Sequence, residues 1–317
     1  MKKKYFSYFQ LLPILLVFVA SCKKDSNQPT PSATTTGFVT LGLYEYSNVT
    51  GGVTNRRVFI PITQIGSVLT SYLSAFDTGS TGMTMDATGI LPPSYITNNG
   101  FVIAGDSLVY NGITVTTQQA VISYGSVGGQ IQEYGNLAYA TVKIGDSNGS
   151  VTTGRIPFFL YYKVVDVTTG KNMAAHSNDV FGVAPGVSFT NNAIGSPLSY
   201  FKLSNNLTNG FKLALFNRSA FGASPTYVAG LLTIGLTSGD LSSSMFVMHP
   251  LIYNSQGGYS PNIAGTINYN GQSVPATILF DTGSPSVSVI ENSAATSNIT
   301  TLPANTNVTL TTSKGFS

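Results

Sequence analysis

The chain of 317 residues has little of what most hydrolases use for chemistry, since it contains one cysteine, two histidines and no tryptophan. A single cysteine excludes an intramolecular disulfide, so the fold must depend on its core. His176 and His249 lie in no metal-ligand spacing, and the sequence has no strained serine-elbow motif. These absences argue against a zinc site and against Ser–His or Cys–His nucleophilic catalysis, and no metal or cofactor is expected.

Charged side chains are also scarce, at 9% of the residues, whereas 42% of the residues are hydrophobic. From Gly37 onward there are ten Lys and Arg residues and eleven Asp and Glu residues. The formal net charge of +3 therefore comes from the N-terminal segment. Without a basic patch, no nucleic-acid partner is expected. The hydrophobic fraction is sufficient for a large core, and Ser, Thr, Asn and Gly supply the polar surface.

The N-terminus has the pattern of an export signal, with three lysines, a short apolar stretch and the sequence Val19-Ala20-Ser21-Cys22. The apolar stretch is too short to span a membrane. The pattern resembles a bacterial lipoprotein signal, in which the cysteine becomes the lipidated first residue. We therefore expect a signal peptide at 1–21, a lipidated Cys22 and a flexible Ser/Thr/Pro tether at 22–36. The protein is expected to be exported and held at the cell envelope, at the outer membrane, facing the periplasm or the surface. The alternative is an ordinary secretory signal with an incidental cysteine.

Beyond the tether, short runs rich in Val, Ile, Thr, Tyr and Phe are separated by Gly, Asn, Asp and Ser. This pattern predicts an all-β fold with one or two short helices, of which Ser196–Leu203 is the best candidate. Asn111-Gly112 and Asn270-Gly271 are typical hairpin turns.

Two identical tetrapeptides follow apolar runs that end in phenylalanine. Asp77-Thr78-Gly79-Ser80 follows Phe76, and Asp281-Thr282-Gly283-Ser284 follows Phe280, in a chain with only nine aspartates. One such tetrapeptide alone is adequately explained as a turn, because Asp, Gly and Ser all favour turns. Two copies in matching contexts indicate a duplicated functional element.

The chemistry of the tetrapeptide suits a paired acid. Gly79 and Gly283 allow a tight turn that brings backbone N–H groups near the carboxylate, and Ser80 and Ser284 can orient its oxygens. If the two loops face each other, Asp77 and Asp281 cannot both ionise and share one proton. Such a pair can activate a water molecule and protonate a carbonyl oxygen, which hydrolyses an amide without a covalent intermediate.

At these residues the chain resembles the pepsin-like aspartic proteases, over roughly residues 55 to 290. Ile122-Ser123-Tyr124-Gly125, which follows Asp77 by about 47 residues, resembles the flap that covers the substrate in that family. Asp179-Val180-Phe181-Gly182-Val183 resembles the segment that closes the first active loop. Thr78 and Thr282 match the threonines that bond across the two loops.

The resemblance implies a bilobal acid-protease fold with the active site between the lobes. The first lobe would span 37–240, and an incomplete second lobe would span 241–317. The dyad of Asp77 and Asp281 would be catalytic, with Tyr124 and Gly125 as the substrate flap. The expected partner is a peptide or protein substrate, and the complete protein is expected to be a monomer.

The sequence departs from the family pattern in two places. Thr84 stands where the family has an aromatic partner of the flap tyrosine, so the flap must be held differently. From Asp77 to Gly182 there are 105 residues, whereas only 36 follow Asp281. We therefore expect a fragment of a longer reading frame, with unpaired strand edges near Asp281 and Val308. A naturally short second lobe is the other interpretation.

Two other function classes compete with the enzyme. One is a non-catalytic shell of this fold that binds peptide or glycan at the cell surface. The other is a structural surface lipoprotein of the β-sandwich type. The intact pair of aspartates favours the enzyme, because a binding shell would be free to lose one of them.

Overall fold

The computed structural model describes residues 37–50, 52–125, 130–188, 193–217, 219–255, 257–269, 271–284 and 306–315. The predicted signal peptide, the predicted lipidation site at Cys22 and the tether lie outside these ranges. None of the helices in these ranges has the length and apolar character needed to cross a membrane.

The predicted all-β class is confirmed, because strands account for about 59% of the structure and helices for about 5%. Within the described residues, twelve strands form one large mixed sheet: β1 (Val39–Thr50), β2 (Val53–Ile65), β3 (Val68–Asp77), β4 (Thr81–Asp86), β7 (Ser107–Tyr110), β8 (Ile113–Tyr124), β9 (Ile131–Asp146), β10 (Gly149–Asp166), β11 (Lys171–Asn172), β12 (Val180–Val183), β15 (Thr208–Leu213) and β16 (Thr226–Leu236). The remaining described strands are β5 (Ile96–Thr97), β6 (Gly100–Phe101), β13 (Val187–Ser188), β14 (Ile194–Gly195), β17 (Ile263–Tyr269), β18 (Gln272–Ile278) and β19 (Val308–Thr312).

The large sheet has the order β15-β16-β1-β2-β3-β12-β4-β10-β9-β8-β7, with β11 beside β10 and an additional pairing between β2 and β9. Most neighbours are antiparallel, but β12 runs parallel to β3 and β4 runs parallel to β10. Strand β12 therefore lies between the two strands that flank the first Asp-Thr-Gly-Ser loop. A separate three-stranded sheet, β18-β17-β19, leads to the second loop.

Both predicted hairpins are confirmed. Strands β7 and β8 pair across Asn111-Gly112, whose φ angles of 46° and 78° are those of a left-handed turn. Strands β17 and β18 pair across the second turn, where Gly271 has a φ of 74°. The turn residues thus fix the register of both hairpins.

The predicted helix over Ser196–Leu203 is wrong in length and type. The structure has a 3-10 helix at Pro197–Tyr200, and it ends because Phe201 is extended. A second 3-10 helix covers Pro93–Tyr95, and the α-helix α1 covers Ser238–Ser242.

The main hydrophobic core lies in the large sheet and reaches the base of the first loop. Phe76 is fully buried, stacks on Phe181 at 6.3 Å between ring centroids and meets Phe211 edge-on at 5.7 Å. The second loop has a different base. Strand β18 ends at Ile278 and not at Phe280 as the apolar run predicts, and the Phe280 side chain is 55% exposed.

Candidate active site

The first aspartate sits where three strands meet. Asp77 is the last residue of β3, and its register partner is Gly182 of β12. A Cβ atom on Gly182 would lie 2.7 Å from the carbonyl oxygen of Gly82 and 2.8 Å from the Oγ of Ser80. Only glycine therefore allows β12 to close this tightly against the loop, which explains the apolar-apolar-glycine sequence at this point.

The first loop directs three hydrogen-bond donors at the carboxylate of Asp77. The backbone N–H groups of Gly79 and Ser80 donate to Oδ1 at 2.7 and 3.1 Å, and the Ser80 hydroxyl donates to Oδ2 at 2.6 Å. Asp77 is itself buried, with 8% of its surface exposed. The orienting role predicted for Ser80 is therefore present in the geometry.

The second loop repeats this arrangement around Asp281. The backbone N–H of Gly283 donates to Oδ1 of Asp281 at 2.7 Å, which matches the distance in the first loop. The backbone of Ser284 is a further hydrogen-bond partner of the Asp281 carboxylate. The role predicted for the Ser284 hydroxyl stays a prediction.

Two threonines join the loops in a reciprocal pattern. The N–H of Thr78 donates to Oγ1 of Thr282 at 3.1 Å, and the N–H of Thr282 donates to Oγ1 of Thr78 at 3.0 Å. Each hydroxyl then donates to the carbonyl before the opposite aspartate, Thr78 to Phe280 and Thr282 to Phe76, both at 2.6 Å. These bonds pair two backbone N–H groups and two backbone carbonyl groups, and they fix the relative position of the loops.

Gly79 and Gly283 have no side chains, and this leaves space for the carboxylate of the opposite loop. A Cβ atom on Gly79 would lie 2.4 Å from the Cγ of Asp281, and one on Gly283 would lie 2.4 Å from the Cγ of Asp77. Real Cβ atoms do not approach other atoms this closely, so each glycine is a steric requirement of the pair. The two loops face each other in this geometry.

The proximity of the two carboxylates changes the acidity of one of them. Burial, the negative charge of Asp77 and a hydrogen bond with Asp77 raise the pKa of Asp281 to about 6, against the smaller lowering effect of the Gly283 and Ser284 N–H groups. A raised pKa beside a like charge is the behaviour of two carboxyl groups that share one proton. At acidic pH the centre thus offers one proton to donate and one carboxylate to accept a proton.

Tyr124, which was predicted to cap the pair, is the last residue of β8. Its hydroxyl lies 3.5 Å from the Oγ1 of Thr84, the residue that stands where an aromatic partner was expected. Burial raises the pKa of Tyr124 well above its ordinary value, and the charges of Glu133 and Asp77 add to this. Gly125 follows, is exposed and has a φ of 97°, and residues 126–129 lie outside the described ranges.

Sequence reasoning missed a group of buried acids behind Thr84. Glu133, Asp86 and Asp179 are at most 5% exposed. Asp179 accepts hydrogen bonds from the Tyr161 hydroxyl and the Asp86 N–H, and it pairs with His176 Nδ1 at 2.7 Å. No local sequence signal marks these acids, because their burial depends on the strands that pack around them.

His176 packs beside these acids and holds two other parts of the chain. Its ring stacks on Tyr72 with 3.4 Å between centroids, and its Nε2 lies 2.7 Å from the Thr88 carbonyl oxygen. Burial lowers the pKa of His176, but the Asp179 carboxylate outweighs burial and the net change is upward. Across the described ranges, no cluster of three or more His, Cys, Asp and Glu side chains could hold a metal ion.

The sequence was also compared with known proteins. No protein-family model matches the chain, and no curated protein is significantly similar to it.

Proposed function

We propose that the protein is an aspartic endopeptidase of the pepsin-like type that hydrolyses peptide bonds with a water molecule activated by Asp77 and Asp281. The observation that carries the proposal is the reciprocal packing of the two loops, in which each carboxylate occupies the space left by the glycine opposite. Paired acids with one shared proton are suited to transfer two protons in a single step.

In the proposed reaction, the protonated Asp281 hydrogen-bonds the carbonyl oxygen of the peptide, and Asp77 carries the negative charge that its three donors stabilise. Asp77 accepts a proton from water as the water oxygen bonds to the carbonyl carbon, and Asp281 gives its proton to the carbonyl oxygen. The resulting diol collapses when the nitrogen accepts the proton held by Asp77 and the C–N bond breaks. A diol proton returns to Asp281, so the pair regains its starting charge.

The proposed architecture is bilobal, with one lobe at 37–240, a partial second lobe at 241–317 and the substrate cleft between them. The two separate sheets that lead to the two aspartates support this division. The proposed partner is a peptide or protein substrate, and Tyr124 with Gly125 forms the flap over it. The proposed complete protein is a monomer.

Hydrolysis of an unstructured peptide library is expected at acidic pH, with activity that falls as pH rises through about 6. The sign follows from Asp281, because the pair loses its shared proton above this raised pKa and can no longer protonate the carbonyl oxygen. One pH unit above that value, kcat/KM should be about tenfold below its acidic plateau. The measurement is a pH profile of cleavage by mass spectrometry.

A peptide mimic of the tetrahedral intermediate, with a central hydroxyl, should inhibit the reaction. Activity that requires an added metal ion, or that rises through pH 6, would contradict the mechanism. Tight binding of the mimic without any cleavage would instead support a non-catalytic binding shell.

We also propose that the protein is exported and anchored to the outer membrane through lipid on Cys22. The support is the sequence Val19-Ala20-Ser21-Cys22 followed by a polar tether. Expressed with its signal in a bacterial host, the protein should partition with membranes, and Cys22→Ser should move it to the soluble fraction. Mass spectrometry of the mature N-terminus decides the matter, since a free Cys22 thiol or cleavage at another position would exclude the anchor. Two or more acyl chains are needed for stable anchoring.

A further inference from the structure

A chain of hydrogen bonds runs from the hydroxyl of Tyr124 into the buried acids. Tyr124 donates to the Oγ1 of Thr84 at 3.5 Å, and Thr84 donates to the Oε1 of Glu133 at 3.3 Å. The amide of Asn178 donates to the same oxygen at 2.7 Å. Thr84 is 4% exposed and Glu133 is fully buried, so bulk solvent does not compete for these groups.

The direction of this chain follows from the number of protons available. A threonine hydroxyl has one proton, and the carboxyl oxygen of Glu133 is both the nearer and the stronger acceptor for it. Thr84 can then only accept from Tyr124, so the phenol proton points into the protein. A phenol oxygen that donates its own proton still has lone pairs with which it can accept a hydrogen bond.

The surroundings of Glu133 favour the neutral form of its carboxyl group, which can accept hydrogen bonds at Oε1. Its Oε2 atom is buried and has no hydrogen-bond partner among the described residues, which disfavours the charged form. The groups that face it are Asp86, Asp179, Tyr161 and Tyr124. Burial raises the pKa of Glu133 to about 8, with Asn178 and Thr84 acting against the increase and the charges of Asp179 and Asp86 adding to it. A protonated Oε2 leaves Oε1 as an acceptor in the acidic range in which the carboxylate pair would work.

We propose that Glu133 and Thr84 are positioning residues that turn the hydroxyl proton of Tyr124 inward, so that its phenol oxygen accepts a hydrogen bond from a backbone N–H of the bound peptide. This inference rests on the proposed function and adds a specificity to it, since Tyr124 would recognise a donor and not a carbonyl group. The opposite orientation would require Thr84 to donate to Tyr124, which would remove one of the two donors from Glu133.

The test measures affinity for the central-hydroxyl peptide mimic and for a series of analogues. In each analogue one backbone N–H is replaced by an ester oxygen, which removes a single donor with little change of shape. One analogue should bind the wild-type protein about fivefold more weakly, as expected for the loss of one neutral hydrogen bond. Tyr124→Phe should bind that analogue and the parent equally well.

The matched variants separate positioning from simple structural support. Thr84→Val and Glu133→Leu should lose the amide preference, because neither variant can keep the Tyr124 proton turned inward. Thr84→Ser and Glu133→Gln keep the hydroxyl and the Oε1 acceptor, and they should retain the preference. Thermal melting checks that each variant is folded, and the two conservative variants keep the test informative if the others do not fold.

The outcomes distinguish this inference from the proposed function. If the wild-type protein cleaves peptides but binds every ester analogue as well as the parent, the inference is wrong and the function stands. An amide preference that survives in Tyr124→Phe also overturns it. If the wild-type protein neither cleaves peptides nor binds the mimic, the proposed function fails and the inference fails with it.

Discussion

Asp77→Asn and Asp281→Asn are each expected to lower kcat for peptide hydrolysis by about 10²–10⁴-fold, the range contributed by a positioned acid or base. An asparagine at either position keeps the shape of the side chain but cannot exchange the proton that the pair shares. The double variant should be scarcely slower than either single variant, because the two carboxyl groups act as one unit. Initial rates at acidic pH measure all three variants.

A suitable control is Asp106→Asn, which removes an exposed carboxylate from the same chain. It should leave kcat and the melting temperature unchanged, since exposed charges contribute little. Substantial activity in either dyad variant would show that the chemistry lies elsewhere. Losses that multiply in the double variant would show that the two groups act separately.

Gly79→Ala and Gly283→Ala are expected to have the second largest effect. In both variants the new Cβ would lie 2.4 Å from the Cγ of the opposite aspartate, and the loops must move apart to admit it. Overpacking of this kind costs about 1–3 kcal/mol, and a displacement of about 1 Å at a reacting group can cost about 10²-fold in rate. The measurements are kcat at acidic pH and the midpoint of thermal unfolding.

Gly195→Ala is the matched control, because a Cβ at that position meets only the Tyr200 hydroxyl at 4.0 Å, an ordinary contact. This variant should retain the wild-type rate and melting temperature. The pH profile adds a second readout, since separating the carboxylates weakens the effect of Asp77 that helps raise the pKa of Asp281. An active Gly79→Ala enzyme with an unchanged profile would mean that the close packing of the loops is not needed for catalysis.

The candidate site was largely predictable because its chemistry is local in sequence. Asp77-Thr78-Gly79-Ser80 contains the acid, the turn and the donors within four residues, and its second copy indicates a pair. The hairpin at Asn111-Gly112 was predictable for the same reason, since the left-handed turn selects these residue types.

The buried acids were not predictable because their burial depends on distant strands. Residues 131–136 contain Gln, Glu, Tyr, Gly and Asn, which do not have the composition of a core strand, yet β9 begins at Ile131 and Glu133 is fully buried. Pairing with β8 on one side and β10 on the other encloses this polar stretch. Tertiary context here overrides the local propensity.

At the end of β18 the local sequence predicts a longer strand than the structure contains. The run Ala276–Phe280 is apolar enough to predict a strand through Phe280, but the strand stops at Ile278. Leu279 and Phe280 are 41% and 55% exposed. The carbonyl of Phe280 instead accepts a hydrogen bond from the hydroxyl of Thr78. The backbone of Phe280 therefore pairs with the other loop and not with a strand of the sheet.

The reciprocal threonine bonds also determine when the acid pair can exist during synthesis. They join residues 202 to 206 positions apart, so neither loop can complete the pair with its own neighbours. Closing so long a loop costs only slightly more entropy than closing a shorter one, but it must await the synthesis of both ends. A growing chain therefore has no paired carboxylates until residue 284 has been added, so the hydrolysis that we propose for this pair starts only after that point in synthesis.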